Sequence, residues 1–234
     1  MNQQVAILAA GRGTRLGRPH PKPLTPLRDG STILGSQLAK IRATFDTPQI
    51  YVVVGFKLEM ILEAHPDAVF VYNEAYDETN TSQSLLRALR ATNVGGVLWL
   101  NGDVVFDPAL LELTRALIEA EQSFVAVNTE SVADEEVKYT LDDDGWIREL
   151  SKSVTGGLGE AVGVNYVAAA DKAALLRRLS EVDDQDYFER GIELAIEHDG
   201  LRFAALDISA LAAVEVDTPD DLVRANASLD PRQT

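Results

Sequence analysis

With 234 residues, 46% of them hydrophobic, the chain can bury a sizeable core as one domain. Its 37 acidic against 21 basic side chains leave a net charge of −16, which argues against a nucleic-acid partner, since that needs Lys and Arg clustered over a broad face. The lack of cysteine removes disulfides, thiolate metal ligands and thiol nucleophiles, and no apolar run approaches the roughly 18 residues of a membrane span, so cytoplasmic residence is the default expectation.

Residues 5–8 read as a buried strand that breaks at Gly11-Arg12-Gly13-Thr14-Arg15-Leu16-Gly17, a glycine-rich loop. Arg12, Arg15, Arg18 and Lys22 follow with no acidic residue among them, a cationic island in an acidic chain that would suit a polyphosphate. The apolar segment at 5–10 is too short, and lacks the basic flank, for the core of a signal peptide. A helical segment over 32–44 comes next. Strand-like runs at 50–54, 69–72, 97–100 and 124–127 then alternate with helical segments at 57–64, 81–92 and 107–120. Within 81–92, Leu85, Leu86 and Leu89 recur at helical spacing and leave Arg87 and Arg90 outside. This alternation predicts an α/β fold, a Rossmann-like, mostly parallel sheet with helices on both faces.

The pattern changes beyond 136. Residues 137–141 and 146–150, joined through Asp143-Asp144-Gly145, predict a hairpin, and 161–168 a further strand. Helices over 171–182 and 187–198, strands at 201–208 and 213–216, and a last helix opened by Thr218-Pro219-Asp220-Asp221 complete the chain. With no repeat, low-complexity tract or linker, residues 1–234 read as one domain carrying a small hairpin insertion at about 137–168.

A loop between a first strand and a helix is where open parallel sheets bind phosphates. A dinucleotide fingerprint needs G-x-G-x-x-G, but this loop is Gly11-x-Gly13-x-x-x-Gly17, and the second strand ends at Val54-Gly55 rather than at an acid. The Gly-Lys-Ser/Thr of a Walker loop is absent. Carboxylates for a divalent cation appear where strands end. Asp103 follows Val97-Leu98-Trp99-Leu100-Asn101-Gly102, and in Val214-Glu215-Val216-Asp217 the period of two puts Glu215 and Asp217 on one face. An ordinary Asn-Gly-Asp turn and an ordinary helix start are the alternatives. His20, His65 and His198 stand in no triad-like setting. No general base is required if the nucleophile is a phosphate or phosphonate, whose second ionisation falls near ~6.

The run Leu8-Ala9-Ala10-Gly11-Arg12-Gly13-Thr14-Arg15-Leu16-Gly17, followed by Pro21-Lys22-Pro23-Leu24, resembles the signature of the nucleotidyltransferases that make NDP-sugars and CDP-alcohols. The resemblance extends through Gly102-Asp103 to Glu215-Val216-Asp217-Thr218-Pro219-Asp220-Asp221-Leu222 and covers nearly the whole chain. It implies a fold of the nucleotide-diphospho-sugar transferase type and an Mg2+-dependent nucleotidyl transfer that releases pyrophosphate. It also implies that Leu8, Ala9, Ala10, Gly11, Arg12, Gly13 and Thr14, with Gly102, bind the nucleotide. Arg15 and Lys22 would be the catalytic, charge-neutralising residues, and Asp103, Glu215 and Asp217 the Mg2+ ligands.

Asn80-Thr81-Ser82-Gln83-Ser84 opens a helix with hydroxyl and amide groups that suit an N-cap. The segment resembles the phosphocholine and aminoalkylphosphonate cytidylyltransferases more than the hexose-1-phosphate enzymes, which implies that Asn80, Ser82 and Ser84 face the base and favours CTP. Lys152, in Leu150-Ser151-Lys152-Ser153, resembles the acceptor-phosphate lysine of the sugar-nucleotide enzymes, although Ser153 stands where many of those have proline. Tyr187 and Phe188 follow Asp183, Asp184 and Asp186, a setting for an alkylammonium, while Glu160 and Asn165 flank Gly163 and suit the hydroxyls of an acceptor. The expected partners are CTP, or another NTP, and a small acceptor of the phosphocholine or 2-aminoethylphosphonate type. A sugar-1-phosphate or inositol-1-phosphate acceptor is the alternative. A non-catalytic nucleotide-binding module would lack Lys22 or the carboxylates, and all are present. Neither nucleic acid nor membrane is expected as a partner, and homo-oligomerisation is left open.

Overall fold

All six residues of β1 (Gln4–Ala9) are buried, as a strand covered on both faces must be. In the computed structural model, which describes residues 3–130 and 136–229, β1 leads through one-turn 3-10 helices at Thr14–Leu16 and Lys22–Leu24 into α1 (Ile33–Thr44). The N-cap Thr32 of α1 accepts the Gly35 N–H at 3.1 Å. Then come β2 (Gln49–Val54), α2 (Leu58–Ala64), β3 (Val69–Tyr72), α3 (Thr81–Ala91), β4 (Val97–Asn101), β5 (Val104–Phe106), α4 (Ala109–Glu119) and β6 (Phe124–Asn128). The second half adds β7 (Lys138–Leu141), β8 (Ile147–Ser151), β9 (Glu160–Val167), α5 (Lys172–Leu179), α6 (Phe188–Asp199), β10 (Ala204–Asp207), β11 (Ala213–Glu215) and α7 (Pro219–Ser228).

The main sheet runs β10-β6-β9-β4-β1-β2-β3. β1 pairs in parallel with β2 and β4, as do β2 with β3 and β10 with β6. One face packs on α1 and α4 through Leu34, Leu38, Ile41, Leu110 and Leu111. The other packs on α3, α5 and α6 through Leu85, Leu89, Leu175, Leu179 and Ile192. Along β4 the period of two sorts side chains between these cores: Leu98 and Leu100 join the first, Val97 and Trp99 the second. Each leucine so removed from water contributes about 1.5–3 kcal/mol.

Two features differ from the sequence reading. The segment expected as one insertion divides: the β7–β8 hairpin lies off the main path, but β9 is a central strand, antiparallel to both β4 and β6. Its Val164 and Tyr166 are buried between neighbouring strands, which an edge insertion would not achieve. The stretch after Asp103 is also a strand. β5 pairs antiparallel with β11 in a separate two-stranded ribbon, Val104 opposite Glu215. α4 then starts at Ala109, because the Asp107 carboxylate accepts the Ala109 N–H at 2.8 Å.

β1 has β2 on one side and β4 on the other, so the crevice beyond its carboxyl end is a switch point of the sheet, where such folds bind ligands. Among the described residues no helix is long and apolar enough to cross a membrane.

Candidate active site

The loop after β1 is shaped around Lys22. Gly13 has φ +57, and a Cβ there would lie 2.8 Å from the Lys22 Cβ, so only glycine lets the lysine pack under the loop. The Gly102 N–H donates to the Leu8 carbonyl at 2.9 Å, which ties the end of β4 to the end of β1. Lys22 thereby meets the carboxylates: its Nζ donates to Asp103 Oδ2 at 2.8 Å and to Asp217 Oδ1. Arg15 Nη2 lies 2.9 Å from Asp217 Oδ2.

The ribbon of β5 and β11 explains why residues more than a hundred positions apart share this site. Val216 N–H donates to the Asp103 carbonyl at 3.0 Å, which sets Glu215 and Asp217 beside the turn that carries Asp103. From α1, the buried Gln37 clamps that turn, its Nε2 donating to the carbonyls of Asn101 and Val104, each at 2.9 Å. After Asp217, Thr218 and Asp221 close a capping box at the start of α7.

Charge is concentrated here. Burial alone would lower the Lys22 pKa, but Asp103, by charge and hydrogen bond, and then Asp217 outweigh it and hold the ammonium above its ordinary value. The charge of Asp103, then burial, push Glu215 well above the usual carboxylate range. Among the described residues Asp103 Oδ1 is buried without a partner. An oxygen-only donor set with an unsatisfied carboxylate oxygen fits a hard divalent cation, which completes its shell with water and phosphate oxygens. By themselves the carboxylates do not close a cage: among the described residues no three or more His, Cys, Asp or Glu side chains gather as a ready metal site.

A cleft of about 290 Å³ opens over this cluster. Leu8, Ala9, Ala10, Gly11, Gly13, Arg15 and Lys22 line it, as do Gly102, Asp103, Glu215 and Asp217. From α3 it receives Asn80, Thr81 and Ser84, with Tyr76 and Thr79 just before them. Asn80 also caps α3, accepting the Thr81 N–H at 2.8 Å, and Ser84 Oγ accepts from Asn73 Nδ2 at 3.1 Å. Two expected nucleotide ligands lie elsewhere. Ser82 is fully buried with its Oγ unpartnered, because it faces the core side of α3. Arg12 is exposed on the loop and does not line the cleft. Thr14 opens the first 3-10 turn.

A second pocket, of about 100 Å³, shares Arg15, Thr81, Asn101, Tyr187, Glu215 and Asp217 with the first. Beyond that boundary it is lined by Glu136, Lys152, Phe188 and Glu189. Gly163, at φ +69, passes beneath Asn101, where a Cβ would lie 2.6 Å from its Nδ2. Lys152 Nζ stands 4.6 Å from the centroid of the Tyr187 ring. Phe188 borders the pocket but is mainly core, edge-on to Trp99 at 5.6 Å. Glu160 lines a neighbouring groove with Glu136, Asp221 and Arg224.

Asn165 is not an acceptor ligand. It is 1% exposed, mid-strand in β9 between Trp99 and Val125, and in the amide orientation that satisfies both atoms its oxygen accepts from Trp99 Nε1 at 3.2 Å. Glu189 and Glu136 were missed by sequence reasoning. Glu189 is buried with Oε2 unpartnered, and burial pushes its carboxyl up to about 7. Burial, then the charge of Glu160, also raises Glu136. Glu189 gave no signal in sequence, since an acid in a helix's first turn ordinarily serves the dipole.

Comparisons with known proteins give the family and the fold. Residues 5–181 match the MobA-like NTP transferase domain. Over 97% of its length the chain is 30% identical to CMP-5'-(3-aminopropyl)phosphonate synthase of Streptomyces rubellomurinus, and it spans 39% of that relative's length. CTP:phosphocholine cytidylyltransferase from Streptococcus pneumoniae superposes with a TM-score of 0.77 at 18% identity, over 98% of this chain and all of that one. Inositol-1-phosphate CTP transferase from T. maritima gives the same TM-score at 15% identity, over 97% and 96% of the two chains. At such identities the structural likeness speaks for the fold alone. The chain belongs to the MobA-like NTP transferase domain family.

Proposed function

We propose that this member of the MobA-like NTP transferase family moves CMP from CTP to a small phosphorylated or phosphonate acceptor of the phosphocholine or 2-aminoethylphosphonate type, releasing pyrophosphate. One observation carries the reading. The large cleft and the small pocket meet along Arg15, Thr81, Asn101, Tyr187, Glu215 and Asp217, so two anions bound one in each would face each other at that boundary.

In the reaction an acceptor oxygen, already anionic near pH 7, attacks the α-phosphorus of CTP. A new P–O bond forms as the bond from that phosphorus to the bridging oxygen breaks, and the electron pair leaves with pyrophosphate. Bringing two anions together is the main barrier, and Lys22 and Arg15 offset their repulsion from within the cleft. Backbone N–H groups of the loop from Ala10 to Gly13 would hold the triphosphate. Asp103, Glu215 and Asp217 would hold a divalent cation, Mg2+, which when bound neutralises charge on the transferring group. Asn80 and Ser84, with Thr81, supply polar atoms on the side where the base would lie. The similarity to a CMP-5'-(3-aminopropyl)phosphonate synthase supports both the CMP donor and an aminoalkylphosphonate acceptor.

Pyrophosphate release measured with each of four NTPs, paired with phosphocholine, 2-aminoethylphosphonate, glucose-1-phosphate and inositol-1-phosphate, tests this. Turnover is expected with CTP and an ammonium-bearing acceptor. Turnover confined to UTP or dTTP with a hexose phosphate would overturn it.

A further inference from the structure

The small pocket already holds a cation. Lys152 Nζ sits 4.6 Å from the Tyr187 centroid, well inside the roughly 6 Å reach of a cation–π contact. Glu189, buried at the start of α6, lines the same pocket, and among the described residues its Oε2 has no hydrogen-bond partner. A buried carboxylate oxygen left unmatched is costly, and such an atom in a folded protein calls for an explanation. Glu136 adds a second half-buried carboxyl to the same lining. The acids and the ring therefore form a seat for positive charge, and a lysine side chain fills it from the hairpin.

Resting on the transferase reading above, we propose that the acceptor's alkylammonium displaces the Lys152 ammonium from the seat formed by Tyr187, Glu189 and Glu136, which releases Lys152 to pair with the acceptor's phosphonate or phosphate. Size agrees with this. At about 30 Å³ per water-sized group, the pocket of about 100 Å³ takes roughly three such groups, enough for a short aminoalkyl chain or a methylated ammonium. Position agrees too, since the pocket opens onto the donor cleft at Arg15 and Asn101, where the acceptor's anionic end must arrive. The exchange makes one end of the substrate responsible for readying the lysine that binds the other. A neutral acceptor would leave Lys152 on the ring, so it would lose turnover as well as affinity.

The test compares 2-aminoethylphosphonate with propylphosphonate, its isostere without the ammonium charge, using the full chain, CTP and Mg2+. The wild-type ratio of kcat/KM, charged over neutral, is expected to be at least about 100, and to fall at least about tenfold in Glu189→Gln and in Tyr187→Leu. A wild-type ratio near one, or a ratio unchanged in both variants, would overturn the seat. Calorimetric titration of 2-aminoethylphosphonate without nucleotide separates the two readings. Binding that weakens at least about tenfold in Glu189→Gln supports the seat even if no NTP is turned over. CTP turnover with equal binding by wild type and variant supports the transferase and sinks the seat.

Discussion

On the proposed reading Lys22 and Lys152 serve the donor and acceptor ends of one site, yet they are held in opposite ways. Lys22 is 9% exposed, locked between Asp103, just after β4 of the central sheet, and Asp217, just after β11 of the ribbon. Lys152 is exposed at the end of the β7–β8 hairpin and rests on the face of Tyr187. The donor half thus stands on the most buried part of the fold, the acceptor half on a hairpin and a helix start that can vary without disturbing the sheet. On that reading, binding of the triphosphate would rest on the ends of buried strands, and recognition of the acceptor on a hairpin and a helix start where sequence changes cheaply.

Four measurements test that contrast. Lys22→Ala should cut turnover about 10³-fold, by loss of a preorganised charge at the transferring phosphate, with circular dichroism showing the fold retained. Lys152→Ala should cost less, about tenfold to 100-fold, and fall mainly on the acceptor KM; equal losses in kcat for both lysines would erase the distinction. The acceptor half should also carry its own pH signature. With its folded pKa raised to about 7 by burial, Glu189 favours the folded state below pH 4.5, and that stability is lost as pH rises through about 7. Chemical denaturation of wild type against Glu189→Gln across that window should show the variant gaining up to about 3 kcal/mol relative to wild type by pH 8. A constant difference would deny that the carboxyl is buried. Smallest is the donor-side helix cap: Thr218→Ala should cost about 1 kcal/mol in urea titration, with a modest loss of activity because Asp217 precedes the cap.

The same contrast governs how far the sequence could be read. The donor half lies in contiguous runs, Leu8 to Gly17 and Pro21 to Leu24, where glycine spacing and charge carry the information locally. The parallel order around β1 was legible for the same reason, since apolar runs and helical periods alternate along the chain. The acceptor half is assembled from the ends of β8, β9 and α6, and there local patterns mislead. Asn165 reads as a polar group on a strand flank, but its strand is central and its amide meets Trp99. Ser82 reads with Asn80 and Ser84, but the helical period turns it inward. The β5–β11 ribbon escaped notice because three-residue strands paired across more than a hundred positions leave no periodic trace.

β9 has a consequence for how the chain reaches this structure. It enters between β4 and β6, yet it is made some sixty residues after β4. Until residue 160 emerges, two hydrophobic strands present unpaired edges to any neighbouring chain. Closing the sheet is thus a late, non-local event, which predicts slow folding and exposure to aggregation during synthesis. A truncation that stops before β9 should collect as insoluble protein even though the entire glycine loop is present.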